Sequence, residues 1–130
     1  MALFDESWMK GYQLQWNAEP GLYEALGKIN FNSVIGYGFK DDEAPKGFIV
    51  VESGQAVDAG EYDGRPLNWD LRADESNWKT WLQREIGMTG LGLAYTTGKL
   101  KFAIGDYKEM VSDPRTAGPF IKSFAAMSRI

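Results

Sequence analysis

The side chains that most often carry chemistry are sparse in this sequence. It contains no histidine and no cysteine. That removes thiolate nucleophiles, disulfides, Cys/His zinc sites and histidine-based triads. Catalysis would have to rest on carboxylates, Lys, Tyr or a bound cofactor. The run Asp41-Asp42-Glu43 has the donors for Mg²⁺ or Ca²⁺, but its place before Pro45 reads as a solvated hairpin turn. Gly36-x-Gly38 has the look of a nucleotide loop. It lacks the third glycine and the following helix, and it lies inside a strand pattern, where such glycines mark a bend or a close approach. Asp70 and Arg72 oppose the apolar side of their strand, so solvent or a sheet edge is their expected setting. Glu61, Asp63 and Arg65 fall in a turn. Tyr95 and Tyr107 are able to donate to a ligand head group and read more simply as boundary tyrosines. The expectation is therefore a protein that is not an enzyme and has no cofactor and no metal site.

Large apolar groups are plentiful instead. Five Trp, six Tyr and seven Phe in 130 residues need burial, or a ligand to cover them. Residues 66–105 organise that surface. Leu67, Trp69, Leu71 and Ala73 alternate with polar residues, the mark of a strand over 66–73 with one buried face. Asp74 stands where a helix N-cap belongs. Trp78, Trp81, Leu82 and Ile86 follow on one helical face, which predicts a helix over 75–86. Glycines 87, 90, 92 and 98 punctuate a looser apolar stretch containing Leu91, Leu93 and Tyr95. A further strand spans 100–104.

Before this stretch, Phe4, Trp8, Tyr12 and Trp16 recur every four residues, predicting a helix over 5–17 capped by Asp5. Its aromatic face packs on the sheet, or else gates a cavity or docks on a partner. A short helix follows Pro20, bearing Leu22, Leu26 and Ile29. Strands at 33–40, 47–52 and 55–62, joined by short turns, predict an antiparallel meander. After the central stretch, Asp106 caps a turn bearing Tyr107, Met110 and Val111. Residues 112–119 then interrupt the chain before a last helix with Phe120, Ile121, Phe124 and Met127 on one face.

Several of these segments resemble the sterol carrier protein-2 (SCP-2) family. The block Asp70-Leu71-Arg72-Ala73-Asp74, Trp78, Trp81-Leu82, Gly98-Lys99-Leu100-Lys101 and Gly105-Asp106 follows the family's strand, helix, turn-strand and helix order. The join Asn17-Ala18-Glu19-Pro20-Gly21-Leu22 is similar to the one between the first two helices of bacterial SCP-2-like chains, with Glu19 where Asp is usual. The resemblance implies an α+β domain: a mainly antiparallel five-stranded sheet with helices covering one face. It also implies an apolar cavity for a sterol, fatty acid, acyl-CoA or other lipid. Trp81, Leu82, Leu93, Phe102, Ile104, Phe120 and Phe124 are the expected lining of one shared cavity. The other reading is a non-catalytic accessory or interaction module that serves a lipid- or aromatic-compound-metabolising enzyme; a partner enzyme or a homodimer is the expected macromolecular association.

Composition sets the outer bounds. The length fits one domain over 1–130, and 44% hydrophobic with 25% charged residues is ordinary for a globular chain. A net charge of −4 argues against nucleic acid and against standing attachment to anionic membranes. Asp5 and Glu6 in a start without a long apolar run argue against a signal peptide, and no window suits stable membrane insertion. A cytoplasmic setting is expected. Ser128-Arg129-Ile130 is a poor match to the peroxisomal Ser-Lys-Leu tail.

Overall fold

The computed structural model describes residues 2–130. The aromatic repeat at the start folds as α1 (Glu6–Asn17), burying Trp8, Tyr12 and Trp16. Asp5 caps it, its carboxylate accepting from the Trp8 amide at 2.8 Å. α2 (Pro20–Lys28) begins on its proline, and Glu19 accepts from Gly21 N at 3.1 Å. The strands β1 (Ser33–Phe39), β2 (Gly47–Glu52) and β3 (Gln55–Glu61) form the expected meander. Its second turn needs left-handed backbone at Ser53 (φ 48°) and Gly54 (φ 86°). A Cβ on Gly54 would stand 2.4 Å from the α2 backbone, so glycine alone lets this turn dock on the helix.

Next come β4 (Trp69–Ala73), α3 (Glu75–Gln83), α4 (Met88–Thr96), β5 (Lys101–Ile104), α5 (Tyr107–Ser112) and α6 (Pro114–Met127). The sheet order is β3-β2-β1-β4-β5. β4 does not pair with β3; it crosses to the free side of β1 and runs parallel to it, Ile35 opposite Trp69. The sheet is therefore mixed, with one parallel pair: β2 holds the other side of β1, and the connection from β3 crosses over so that β4 starts in the same direction as β1. β4 is also shorter than its alternating pattern. Pro66 has no N–H, and at Asn68 the side chain takes over part of the ladder. Its Oδ1 accepts from Val34 N at 2.8 Å, while its own N–H donates to Val34 O at 2.8 Å.

The inward faces of β1, β2 and β4, including Ile35, Tyr37, Ile49, Val51, Leu71 and Ala73, share one hydrophobic core with the helices. α1 lies along β3 and β2, and α6 packs on α2, α5, α1 and α3. Trp78 ties α3 to the sheet by donating from Nε1 to Gly38 O at 2.8 Å.

The opposite face of β1 and β4 is covered by a loop. Asp70 and Arg72 do point away from the apolar side, but they are only 3% and 5% exposed, so they do not face solvent. Residues 40–46 close over them. Arg72 grips both Asp70 oxygens, at 2.7 and 3.0 Å, and donates to the carbonyls of Phe39 at 3.1 Å and Asp42 at 2.7 Å. Gly36 and Gly38 make room for the loop, since a Cβ on Gly38 would meet Pro45 Cα at 2.8 Å. The carboxylate-bearing residues Asp41, Asp42 and Glu43 are exposed. On the same face Arg65 lies 3.8 Å from the centre of the Phe48 ring. Asp63 fixes that guanidinium at 2.6 Å, and the hydrogen bond from Arg65 holds its carboxyl down at about 2.

Two further differences concern helices. The glycine-rich stretch after residue 87 is helical, and α3 stops at Gln83 rather than near 86. The break before the terminal helix is a kink at Asp113, not an eight-residue interruption. Asp113 caps α6 by accepting from Arg115 N at 2.9 Å, and Thr116 Oγ1 reaches back to Met110 O at 2.6 Å. Pro119 lies inside α6 and has no N–H to give the Arg115 carbonyl.

Candidate functional site

A cavity lies between the inner face of the sheet and the helices. Ile35 and Tyr37 of β1 with Trp69 and Leu71 of β4 form one wall. Trp16 of α1 and Leu26 of α2 meet them from one side, and Phe31 from the connection to β1. The α5–α6 arm supplies the rest: Met110, Thr116, Pro119, Phe120 and Ser123. Phe31, Trp69 and Thr116 are half-buried, which places the solvent side of the cavity at these residues. Its volume is about 20 Å³. That is room for one water molecule, against ~300 Å³ or more for a small-molecule site. A void this small costs roughly 0.5 kcal/mol. Any lipid-sized guest has to part the walls.

The lining carries no charged side chain. Its polar atoms are already engaged. Trp16 Nε1 donates to Gly54 O at 2.9 Å, and Trp69 Nε1 donates to Ser33 Oγ at 3.2 Å. Thr116 donates to Met110 O and Ser123 to Phe120 O, each at 2.6 Å. The Tyr37 hydroxyl shares a hydrogen bond with that of Tyr12 at 3.0 Å. Burial pushes both phenols well above the ordinary tyrosine range, so they stay protonated at neutral pH. The arrangement offers enclosure and a few neutral hydroxyls.

The seven residues expected to line one cavity are not brought together. Only Phe120 is in the lining. Trp81 and Phe124 are buried beside it, in an aromatic array with Trp78: Phe124 lies 5.4 Å from Phe120, 6.0 Å from Trp78 and 6.3 Å from Trp81, ring to ring. Phe102 packs on the other flank of Phe120 at 6.1 Å, and Leu82 is half-buried against the core. Leu93 and Ile104 are corrections, being 64% and 44% exposed. In α4 the inward phase is set by Leu91 and Ala94, which turns Leu93 outward. In β5 an irregular register sets Phe102 opposite inward Leu71 but Ile104 opposite outward Asp70, so the two do not share a face.

Sequence reasoning missed most of the actual lining. Trp16 was visible only as a member of a periodic aromatic face, and Tyr37 only as a position within the strand expected over 33–40. Phe31 lies outside any periodic run and gave no signal.

The fold is that of an SCP-2-like domain, as comparison with solved structures shows. A crystal structure of sterol carrier protein 2 superposes with a TM-score of 0.78 over 99% of both chains, at 16% identity. A conserved hypothetical protein from Thermus thermophilus gives 0.66 at 17% identity, covering 99% of this chain and 87% of that one. The UbiJ-SCP2 ubiquinone synthesis protein gives 0.57 at 14% identity, covering 92% of this chain and 86% of that one. No protein-family model and no curated protein matches the sequence. Among the described residues no helix is long and apolar enough to cross a membrane.

Proposed function

We propose that residues 1–130 act as one non-catalytic, cytoplasmic domain that binds an apolar ligand reversibly between the sheet and the α5–α6 arm. The observation that carries this reading is the uncharged cavity wall, whose polar atoms are satisfied and whose remaining surface is hydrocarbon and aromatic. Parting the walls around a lipid removes apolar area from water at about 25 cal/mol per Å². The likeness to sterol carrier protein 2 supports the same reading. A fold alone does not assign a function.

The test is binding of a lipid probe, read by emission of Trp16 and Trp69, together with native mass spectrometry of protein purified without added lipid. Saturable binding or a co-purified lipid mass is expected. Thr116→Phe, which plugs the solvent side of the cavity, should lower affinity about tenfold or more while leaving the CD spectrum unchanged. Absence of both binding and bound mass in the parent protein would sink the reading.

One observation favours a second role. The similarity to UbiJ-SCP2, a ubiquinone synthesis protein, fits an accessory module that presents or shelters an apolar compound for a partner enzyme. The two roles differ in whether binding persists in the isolated protein.

A further inference from the structure

The two edges of the sheet are finished differently. At β3 the edge backbone is closed by side chains of α1. Asn17 donates to Ala56 O at 2.8 Å and accepts from Ala56 N at 2.9 Å. Gln13 donates to the same carbonyl at 3.2 Å, and Glu6 accepts from Glu61 N at 2.7 Å. β5 is the other edge. Among the described residues, no side chain or loop bonds the backbone of Lys101–Ile104 on its outer side. An edge left in that state is a template for a further strand.

An open groove of about 520 Å³ lies along this edge. β5 contributes Lys101 and Phe102 to it, Gly105 follows at the strand's end, α4 contributes Tyr95, and Lys40 stands just beyond β1. The charged residues of the groove are both cations, in a chain whose net charge is −4. Lys10, Lys46 and Lys79 each pair with a carboxylate, whereas among the described residues Lys40, Lys99 and Lys101 pair with none. Lys40 donates instead to Gly98 O at 2.6 Å, in the turn ahead of β5, and keeps two N–H groups for another acceptor. Apolar surface collects beside these charges. Among the described residues, three of the five exposed large hydrophobic side chains, Met88, Leu93 and Ile104, belong to the two elements that flank the groove.

We infer that β5 and its groove dock an extended acidic segment of another protein, which adds a further strand to the sheet. Its backbone pairs with the edge, its carboxylates meet Lys40 and Lys101, and its apolar side chains cover Leu93 and Ile104. Charge and hydrogen bonding select this occupant. A second copy would bring its own lysines to the same edge. A bilayer offers a strand no ladder of N–H and C=O groups. The surface lies outside the cavity lining, so the inference goes beyond the carrier reading and stands without it.

The experiment titrates the whole protein with the peptide acetyl-Glu-Val-Glu-Val-Glu-Val-amide and follows backbone amide NMR shifts. Shifts should concentrate at residues 93–105, and the β5 amides should exchange with deuterium more slowly. A fully N-methylated copy of the peptide cannot donate to the edge and should bind about tenfold or more weakly. Lys40→Glu/Lys101→Glu changes two exposed side chains and leaves the fold intact. It should weaken the acidic peptide about 5- to 30-fold and should bind the Lys-Val analogue better than the parent protein does. The inference is overturned by equal binding of plain and methylated peptides, by unchanged affinity in the charge-reversed variant, or by no shifts at Lys101–Ile104 with millimolar peptide. It is also overturned if vesicles of phosphatidylglycerol and phosphatidylcholine shift the same amides while the peptide does not, which would assign the edge to a bilayer. A dimer in sedimentation that Ile104→Lys dissolves would assign it to a second copy and overturn the inference as well. Binding of a lipid probe in the cavity is read separately, so none of these outcomes decides the carrier reading.

Discussion

At the scale of single residues, the buried ion pair of Asp70 and Arg72 is costly to break from one side. Both side chains are buried, and the guanidinium also holds the carbonyls of the loop above it. Removing one partner strands the other's charge. Asp70→Ala should therefore lose about 3–5 kcal/mol in urea unfolding, whereas Asp70→Leu/Arg72→Met should stay much nearer the parent, because an apolar pair of similar volume leaves no charge behind. A near-neutral Asp70→Ala midpoint would show that the loop opens and lets water reach Arg72.

At the scale of elements, two helix caps contribute to the response to acid. The Asp5 carboxyl is held below the usual range, chiefly by the hydrogen bond from the Trp8 amide, and that of Asp113 by its bond from the Arg115 side chain. A carboxyl whose folded value is depressed adds stability above its unfolded value. That contribution is lost as pH falls through the folded value. Asp5→Ser keeps an acceptor on the end of α1 but does not titrate there. Its unfolding midpoint should fall less than the parent's as pH drops below about 4, the ordinary Asp value, with the two proteins approaching each other at the acid end. Parallel acid limbs would mean that the cap contributes no pH dependence.

The same scale shows what the sequence made legible. Helices and strands with a clean period were readable to within a few residues: the aromatic stripe of α1, the meander, the face carrying Trp78 and Trp81. α4 was not, because Gly90 and Gly92 blur its phase and its apolar residues surround the axis. The partner of β4 was not, because alternation shows which way side chains point and not which strand lies alongside. The burial of Asp70 and Arg72 was hidden for a related reason, since their cover comes from a loop about thirty positions away. The cavity was least legible. Periodicity marks inward faces, and a void forms wherever several such faces fail to meet, a property of their assembly. Leu93 and Ile104 turn outward because of a helical phase and a strand irregularity that are invisible in the sequence.

At the scale of the whole molecule, a cavity of about 20 Å³ means that binding and breathing are one process. The α5–α6 arm, kinked at Asp113 and lacking a helical bond at Pro119, is the section best suited to move. Amides from Tyr107 to Ser123 should exchange with deuterium faster than those of β1 at the centre of the sheet. They should slow on addition of a bound lipid probe while those of β1 change little. Uniform exchange in both segments would point to opening elsewhere.

The crossing of β4 to the far side of β1 also bears on how the chain acquires its shape. The meander closes through short turns, whereas the bond from Asn68 to Val34 joins positions 34 apart in sequence. β5 has no neighbour in the sheet until β4 is in place. The entropy of closing the longer loop is lost before β4 and β5 return any pairing, so they should consolidate after the rate-limiting step. Chevron analysis should find that Val51→Ala chiefly slows refolding and that Leu71→Ala chiefly hastens unfolding. Half of the cavity wall in the sheet would then be absent at the barrier, leaving the ligand no pocket until the chain is past it.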